Sequence, residues 1–450
     1  MGNLLVHVGI DDFDSHTGGC TTHLAVKIAW ELTGRKARLV DYPNLVRLNP
    51  AVPWKTRGNG AVALRLETER SARELLDIVE VIAEDYAREF DNPKHQPAIV
   101  VLEGEIPEYL KRVGTRAVGD LIPLQVVERV IEKSGALAKS VKGKRGLVGA
   151  TAAIGVDLLE GDFTYEAILY RVRDNIGKPR LVDAESVKDA ELRSKGALFL
   201  NYDHDTGRLL ATPRGPDPVL MGVRGESPEH IVAALRSIRV FEEVEAVVLF
   251  RTNQHTDQHL QEVESVCEAY PYRCVRVRGF VTRAPRRIQG GHVVFGVSDG
   301  HCSIDVAAYE PTKEFRDVVS ELAVGDEVEV MGCVRPGSTT HPPTLNLEKL
   351  LVVRLTEVYR FENPLCPRCG ARMTSAGYGK GFKCPKCGYR STELGKVKIR
   401  VERSIAPGLY QPPKHAFKHL MKPIERFGVP PKKFIYQPVD PFIKPPLGAP

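Results

Sequence analysis

VGIDDFDSHTGGCTTHLA, residues 8–25, crowds three aspartates, two adjacent glycines and a run of hydroxyls between two apolar segments. Leu4 to Ile10 has the composition of a strand, and in HLAVKIAWELT the residues Leu24, Ile28 and Leu32 recur at helical spacing. The stretch therefore reads as strand, loop, helix. Asp11, Asp12 and Asp14 at the strand end repel one another unless a cation sits among them. Mg2+ suits such hard oxygen ligands and is the usual companion of a nucleotide phosphate. Gly18, Gly19, Thr21 and Thr22 fall where the helix begins, and its free amides and positive dipole end favour an anion. The loop is expected to cradle the phosphates of a nucleotide with Mg2+ on the three aspartates. A structural turn with a helix cap is the plainer alternative. GALAKS, 135–140, lacks P-loop spacing, which rejects that architecture.

Outward from this loop, GAVALRL (60–66) and PAIVVLEG (97–104) read as strands, with a helix between them carrying Leu75, Val79, Ile82 and Tyr86 on one stripe. A helix near Asp120 to Lys133 places Ile122, Val126 and Val130 on one face, with Pro123 in its first turn. GKRGLVGATAAIG, 143–155, ends this first module, 1–156. In NPAVPWKTRGNG, 49–60, Lys55 and Arg57 suit a transferring phosphate, and Lys144 and Arg145 are weaker candidates for the same duty. A solvated basic loop is the bland reading of both. Residues 157–272 offer strands EAILYRV, GALFLNYD and VEAVVLFRT around the helix SPEHIVAALRSIRV, a ferredoxin-like α+β pattern. Residues 273–360 offer five short strands with a helix between the third and fourth, which is the OB-fold β-barrel signature.

Residues 361–395 hold CPRC and CPKC, so Cys366, Cys369, Cys384 and Cys387 are spaced for a structural Zn2+ in a zinc ribbon. The following glycines permit the tight turns that aim amides at the sulfurs. Nine cysteines and no secretory signal argue against disulfides in their place, and the other five are expected as buried filler. No apolar run is long enough to span a bilayer, so no membrane role is expected and the chain reads as cytoplasmic. A myristoylation signal fails because Val6 stands where Ser or Thr is needed.

Net charge is only +6, yet Arg390 to Pro450 holds twelve Lys/Arg against four Asp/Glu, and eleven prolines lie beyond Ser404. This basic tail, 396–450, is expected to be extended, to drape over a partner or domain surface, and to favour a polyanion. Arg276, Arg278, Arg283, Arg286 and Arg287 in the barrel and Tyr378, Lys380 and Phe382 in the ribbon add cationic and stacking groups for nucleic acid. Their bland reading is a solvated face, with the ribbon aromatics covering zinc.

GIDDFDS, CTTHLA, RLNPAVPWKTRGNGAV, PRGPDPVLMGVRGE, the barrel and the CPRCG/CPKCG pair, in this order along nearly the whole chain, resemble the archaeal tRNA(Ile) 2-agmatinylcytidine synthetases. Phe13 departs from the pattern, where Thr is usual. The resemblance implies an unusual kinase-like α/β domain ahead of the ferredoxin-like domain, OB-fold and zinc ribbon. It implies an ATP-dependent ligase that phosphorylates the C2 oxygen of the wobble cytidine of an isoleucine tRNA with a CAU anticodon, after which agmatine displaces phosphate and ATP ends as AMP and phosphate. The product lets AUA be decoded as isoleucine. The resemblance marks Thr21 as the position of autophosphorylation.

Guanidinium recognition wants carboxylates, so Asp203, Asp205 and Asp217 are candidates for agmatine, against the bland reading of acidic turns. No obligate protein partner is implied. Two other readings remain open at this level: a non-catalytic nucleic-acid scaffold using barrel and ribbon alone, and a phosphotransferase acting on another RNA or amine.

Overall fold

Leu4–Asp11 (β1) is buried on both faces, because it runs through the middle of a sheet covered on two sides. Val6, Val8 and Ile10 enter one core and Gly9 faces the other, the period-two alternation of a strand. The chain continues through Thr21–Gly34 (α1), Asn44–Arg47 (β2), Gly60–Thr68 (β3), Ala72–Glu89 (α2), Ala98–Glu103 (β4), Glu108–Gly119 (α3), Leu124–Ser134 (α4), Leu137–Ser140 (β5) and Gly146–Gly155 (α5). A second run adds Thr164–Arg171 (β6), Ala184–Arg193 (α6), Val219–Gly225 (β7), Pro228–Leu235 (α7) and Val244–Thr252 (β8). This computed structural model describes residues 3–55, 57–339 and 341–443, leaving out the Arg57 side chain.

The strand order β7-β6-β8-β2-β3-β1-β4-β5, with Arg38–Leu39 beside β3, makes one nine-stranded sheet. All its ladders are antiparallel except β8 with β2, where Arg251–Asn44 and Thr252–Leu45 pair in parallel. Both cores cross this seam: α1 and α2 pack on one face with Ile168, Tyr170 and Phe250, while α3, α4 and α5 pack on the other with Ala167, Leu169 and Leu249. A Ser71/Glu74 capping box starts α2.

Helix α5 is GLVGATAAIG, nine of its ten residues buried, and its small side chains let it lie flush on the sheet. A Cβ at Gly9 would run into the Ala150 carbonyl. Periodicity cannot reveal a helix buried all round.

Several local expectations shift. Pro123 caps α4 rather than entering it, so Val127 and Val130 are buried and Val126 is exposed. GALFLNYD is not a strand beyond Tyr202–Asp203, because Leu200 takes a positive φ of 55° and Glu191 binds the Asn201 and Tyr202 amides. VLMGVRG forms β7 instead; α3 and α6 were not anticipated.

Cys274–Arg287 (β9), Val293–Ser298 (β10), Ser303–Ala308 (β11), Phe315–Ser320 (α8), Glu327–Arg335 (β12) and Thr344–Arg354 (β13) close a five-stranded barrel by the β9–β12 pairing. The barrel cysteines are not filler: Cys267 is disulfide-bonded to Cys302 and Cys274 to Cys333. Cys274 and Cys333 stand opposite one another in the β9–β12 ladder, an apposition that their 59-residue separation conceals. The β9 arginines alternate outward and are mostly paired, Arg276 with Glu329, Arg278 with Glu327, Arg283 with Asp305 and Arg287 with Asp317.

The extended tail returns across its own chain. Gly408–Tyr410 pairs with β13, Lys432–Lys433 pairs with Glu160–Gly161, and Phe442 packs edge-on against Trp30. Its cations meet internal acids: Arg426 binds Asp162 and Glu226, Lys418 binds Glu348, and Lys432 binds Glu226. The surface it drapes is its own, and those charges are spent there.

Candidate active site

β1 delivers Asp11 to the sheet's end, and the chain turns at Asp12, whose φ of 67° is in the left-handed region that Asp tolerates. Asp12 Oδ2 accepts from the Gln96 amide and the Arg145 guanidinium, both at 2.9 Å. Asp14 Oδ1 accepts from the Thr21 amide at 2.9 Å and the Thr21 hydroxyl at 3.3 Å. Thr21 Oγ1 accepts in turn from the Phe13 amide at 3.1 Å. Asp14 thus satisfies the start of α1, where the N-cap Cys20 makes no side-chain cap, and it fixes the Thr21 hydroxyl. Phe13 is buried with Leu24 and Ile28, so it anchors the loop from beneath. Gly18 has a φ of 123°, and a Cβ at Gly19 would lie 2.8 Å from Phe90 Cβ. Backbone conformation at Gly18 and packing at Gly19 each call for glycine.

Asp11 is pushed well above the usual carboxylate range, chiefly by burial and then by Asp12, with Arg145 opposing. The three aspartates do not converge on one point: among the described residues, only the four ribbon cysteines and His259–Cys333–Glu348 gather three ligand atoms within 4.8 Å. Asp14 is turned onto Thr21 and Asp12 onto Arg145. The second cluster is closed to metal by the Cys333 disulfide and by Lys418 on Glu348.

A cleft of about 540 Å³ lined by Asp12, Phe13, Asp14, His95 and Lys142 borders the loop, and two more flank it. One, of about 340 Å³, is lined by Asp14, Thr21, Arg47, Arg214, Asp217 and Arg224, with His419 reaching in from the tail. The other, of about 480 Å³, is lined by Asp11, Trp54, Asp120, Lys144, Arg145 and Gly149. Thr22 lines the first cleft. Lys144 is exposed and paired with Glu128 at 2.8 Å. Lys55 lines neither cleft; its amine is held below the usual range by partial desolvation and by Arg335 and Lys418. The expectation for Arg57 falls on a side chain outside the described residues. Asp217 accepts from Arg180 at 3.0 Å and from the Val219 amide at 3.2 Å. Asp203 is buried and holds its own turn, accepting from the Asp205 and Thr206 amides, while Asp205 is exposed; neither lines a cleft.

Sequence reasoning missed Arg47, Glu166, Arg224, His255 and His419. Glu166 accepts from Arg224 at 3.1 Å and from Gln254 at 2.5 Å, and Gln254 meets His419 at 3.1 Å. The available signal was RTNQHTDQHL, 251–260, a polar run directly after the strand VVLF that is nonetheless largely buried.

In the ribbon, Cys366 and Cys387 sulfurs are 3.5 Å apart, as are those of Cys369 and Cys384. A tetrahedral ion with ~2.3 Å Zn–S bonds needs sulfurs about 3.8 Å apart, so the donor set fits Zn2+. Gly370 and Gly388 both take positive φ, closing the two knuckles. Tyr378 is fully exposed and Phe382 packs beside the cysteines.

These features define a multidomain α/β protein in which an acidic-loop module, a closed barrel and a zinc ribbon share one chain. Family models match in three places: the TiaS TCKD domain at residues 7–76, the TiaS FLD domain at 144–259 and the TiaS C-terminal zinc ribbon domain at 363–405. A tRNA(Ile) 2-agmatinylcytidine synthetase, TiaS, from Staphylothermus marinus is 48% identical, over 95% of each chain. A crystal structure of TiaS in complex with its isoleucine tRNA and ATP superposes with a TM-score of 0.85 at 38% identity, covering 96% of this chain and 100% of that one. A complex of TiaS with the same tRNA, AMPCPP and agmatine gives 0.82 at 37% identity over the same shares. The chain belongs to the tRNA(Ile) 2-agmatinylcytidine synthetase family.

Proposed function

We propose that this chain joins agmatine to C2 of the wobble cytidine of the CAU-anticodon tRNA(Ile), using ATP to convert the C2 oxygen into a phosphate leaving group. The names of the relatives and the tRNA, nucleotide and agmatine in the related crystals support these substrates. The observation that carries the chemistry is the Thr21 hydroxyl, held between the Asp14 carboxylate and the Phe13 amide in the lining of a cationic cleft. A cytosine carbonyl is a poor electrophile, and phosphorylation splits its substitution into two feasible steps. Thr21 is assigned autophosphorylation, with Asp14 placed to take the hydroxyl proton. Asp217 is the one of the three candidate carboxylates that shares this cleft, so it is assigned the agmatine cation ahead of Asp203 and Asp205.

Mg2+ bound to nucleotide needs only one or two carboxylates. Asp11 and Asp12 are the pair that fits, and Asp11, protonation-prone beside Asp12, is the carboxyl a divalent cation would return to its charged form. When bound, the ion would neutralise phosphate charge. Lys55, Arg57, Lys144 and Arg145 are assigned to phosphates at the loop's edges. Residues 1–156 act as the kinase-like unit and 157–272 as the ferredoxin-like unit on one sheet. Residues 273–360 act as an OB-fold that, with the ribbon at 361–395, grips the tRNA body while the wobble base unstacks in the cytoplasm. Of the tail, 396–450, the described part, 396–443, closes over them.

Labelled agmatine, ATP and an unmodified transcript of the CAU-anticodon tRNA(Ile) test this. Incorporation is expected, with Asp12→Ala losing at least ~100-fold while tRNA affinity changes less than about twofold. Full incorporation by the variant refutes the role of the loop. Tight tRNA binding with no amine joined by the wild-type chain would leave the scaffold reading.

A further inference from the structure

Asp14 and the Phe13 amide hold Thr21 from one side. On the other side the hold passes through Cys20, on which α1 begins and which makes no side-chain cap. The Tyr86 hydroxyl of α2 takes over that task, accepting from the Cys20 amide at 2.9 Å and donating to the Cys20 carbonyl at 3.3 Å. One hydroxyl thus grips both backbone polar groups of the residue before Thr21.

Tyr86 is 3% exposed, and its oxygen also meets His23 Nδ1 at 3.1 Å. The buried His23 ring stacks on Tyr170 with centroids 5.2 Å apart, and its Nε2 faces Glu245 Oε2 at 3.2 Å. Glu245 is held down to about 2, chiefly by the His23 hydrogen bond, so it is a carboxylate that only accepts, and His23 Nε2 carries a proton. The chain Glu245, His23, Tyr86, Cys20 therefore runs from β8, in the second run of the sheet, between α1 and α2 to the residue beside Thr21. Phe90, one turn further along, packs on Tyr86 at 4.8 Å and occupies the space a Cβ of Gly19 would need, so the end of α2 props the loop at both Gly19 and Cys20. Core filling alone does not account for this arrangement. The chain ends on backbone next to the reacting hydroxyl, and it begins on an exposed carboxylate outside the core.

We propose that Tyr86, His23 and Glu245 are positioning residues for phosphorylation at Thr21: they fix the Cys20 backbone, and with it the direction in which the Thr21 hydroxyl meets Asp14. In that step the Thr21 oxygen bonds a phosphorus of ATP, the bridging oxygen leaves with the electrons of the broken bond, and the hydroxyl proton passes to Asp14. None of the three residues touches the phosphate; they act by holding the nucleophile's support in one geometry. The link to a rate rests on the functional reading of Thr21, whereas the hold on Cys20 does not. Because Glu245 belongs to β8, the second run of the sheet sets the geometry of a nucleophile in the first.

Peptide mass spectrometry of phosphate on Thr21, after mixing the full chain with Mg2+ and varied ATP, tests this. Tyr86→Phe and Glu245→Ala should each slow the maximal rate about 10-fold, with the half-saturating ATP concentration and the melting temperature unchanged. The double variant should be no slower than the worse single one, because both cut one chain. Glu245→Gln keeps an acceptor for His23 and should restore the rate, and Lys27→Met, which removes only the other partner of Glu245, should leave it alone. Wild-type rates in both single variants, additive losses in the double variant, no rescue by Glu245→Gln, or a Lys27→Met loss equal to that of Glu245→Ala overturns the proposal. A wild-type chain that places no phosphate on Thr21 sinks the functional reading instead. Hydrogen exchange at the amides of residues 20–22 then decides the hold by itself: faster exchange in Tyr86→Phe and Glu245→Ala supports it, and unchanged exchange overturns it.

Discussion

Gly149 is the position where one methyl group should stop the chemistry without disturbing the fold. A Cβ there would lie 3.1 Å from Asp11 Cβ and closer still to its Cγ and Oδ2, inside the 3.4 Å where ordinary contact begins. Relief needs the carboxylate to move by about 1 Å or more, and a misplacement of that size costs about 100-fold in a positioned reaction. The side chain can yield where backbone cannot, so α5 need not shift. Gly9→Ala is the informative contrast, because its Cβ meets the Ala150 carbonyl and the helix itself must lift. Gly34→Ala, with nothing within 4 Å, serves as the control. Agmatine incorporation under single-turnover conditions, with tRNA affinity and melting temperature in parallel, is the assay. Gly149→Ala should lose about 100-fold in rate with tRNA affinity intact, Gly9→Ala should lose stability, and Gly34→Ala should lose neither. A wild-type rate in Gly149→Ala would refute the placement of Asp11 in the reaction.

Arg426→Met should release the tail: the guanidinium sits between Asp162 and Glu226 and donates to the His255 carbonyl, and breaking one side of a buried pair costs about 3–5 kcal/mol. Hydrogen exchange across residues 421–434 measures this directly, and unchanged protection would show the contact to be incidental. Zinc analysis of the wild-type chain should give one ion per chain, and Cys384→Ser should bring that close to zero while the barrel's exchange protection persists. Zinc retained by the variant would mean the four sulfurs do not form the site.

What was legible in the sequence was whatever local chemistry enforces. The strand and helix around the acidic loop, the barrel strands and the CxxC pairs follow from periodicity and spacing that no tertiary context overrides. The order of the three aspartates was legible too, but not their division of labour. Asp12 turns to Arg145, 133 residues away, and Asp14 to the Thr21 amide, so the loop is opened by partners that spacing cannot reveal. The disulfides and α5 were hidden for the same reason: Cys274 meets Cys333 only once the barrel closes, and a helix of Gly and Ala has no polar face to give it a period.

The tail was the reverse case, where composition pointed outward and the fold points inward. Twelve Lys/Arg from Arg390 onward suggest an RNA surface, yet Lys418, Lys422, Arg426 and Lys432 are all paired with acids of the same chain. Pairing removes most of the long-range attraction those charges could exert. What survives is positional. By binding Asp162 and Glu226, Arg426 anchors the segment that carries His419 to the rim of the Thr21 cleft, and the His255 ring donates to the Met421 carbonyl on the same stretch. A segment that reads as a free basic arm is therefore better understood as the last wall of the Thr21 cleft. Its charge content is set by the acids it must satisfy, and it is position rather than net charge that brings His419 to the Thr21 cleft and Lys418 to an adjoining cavity.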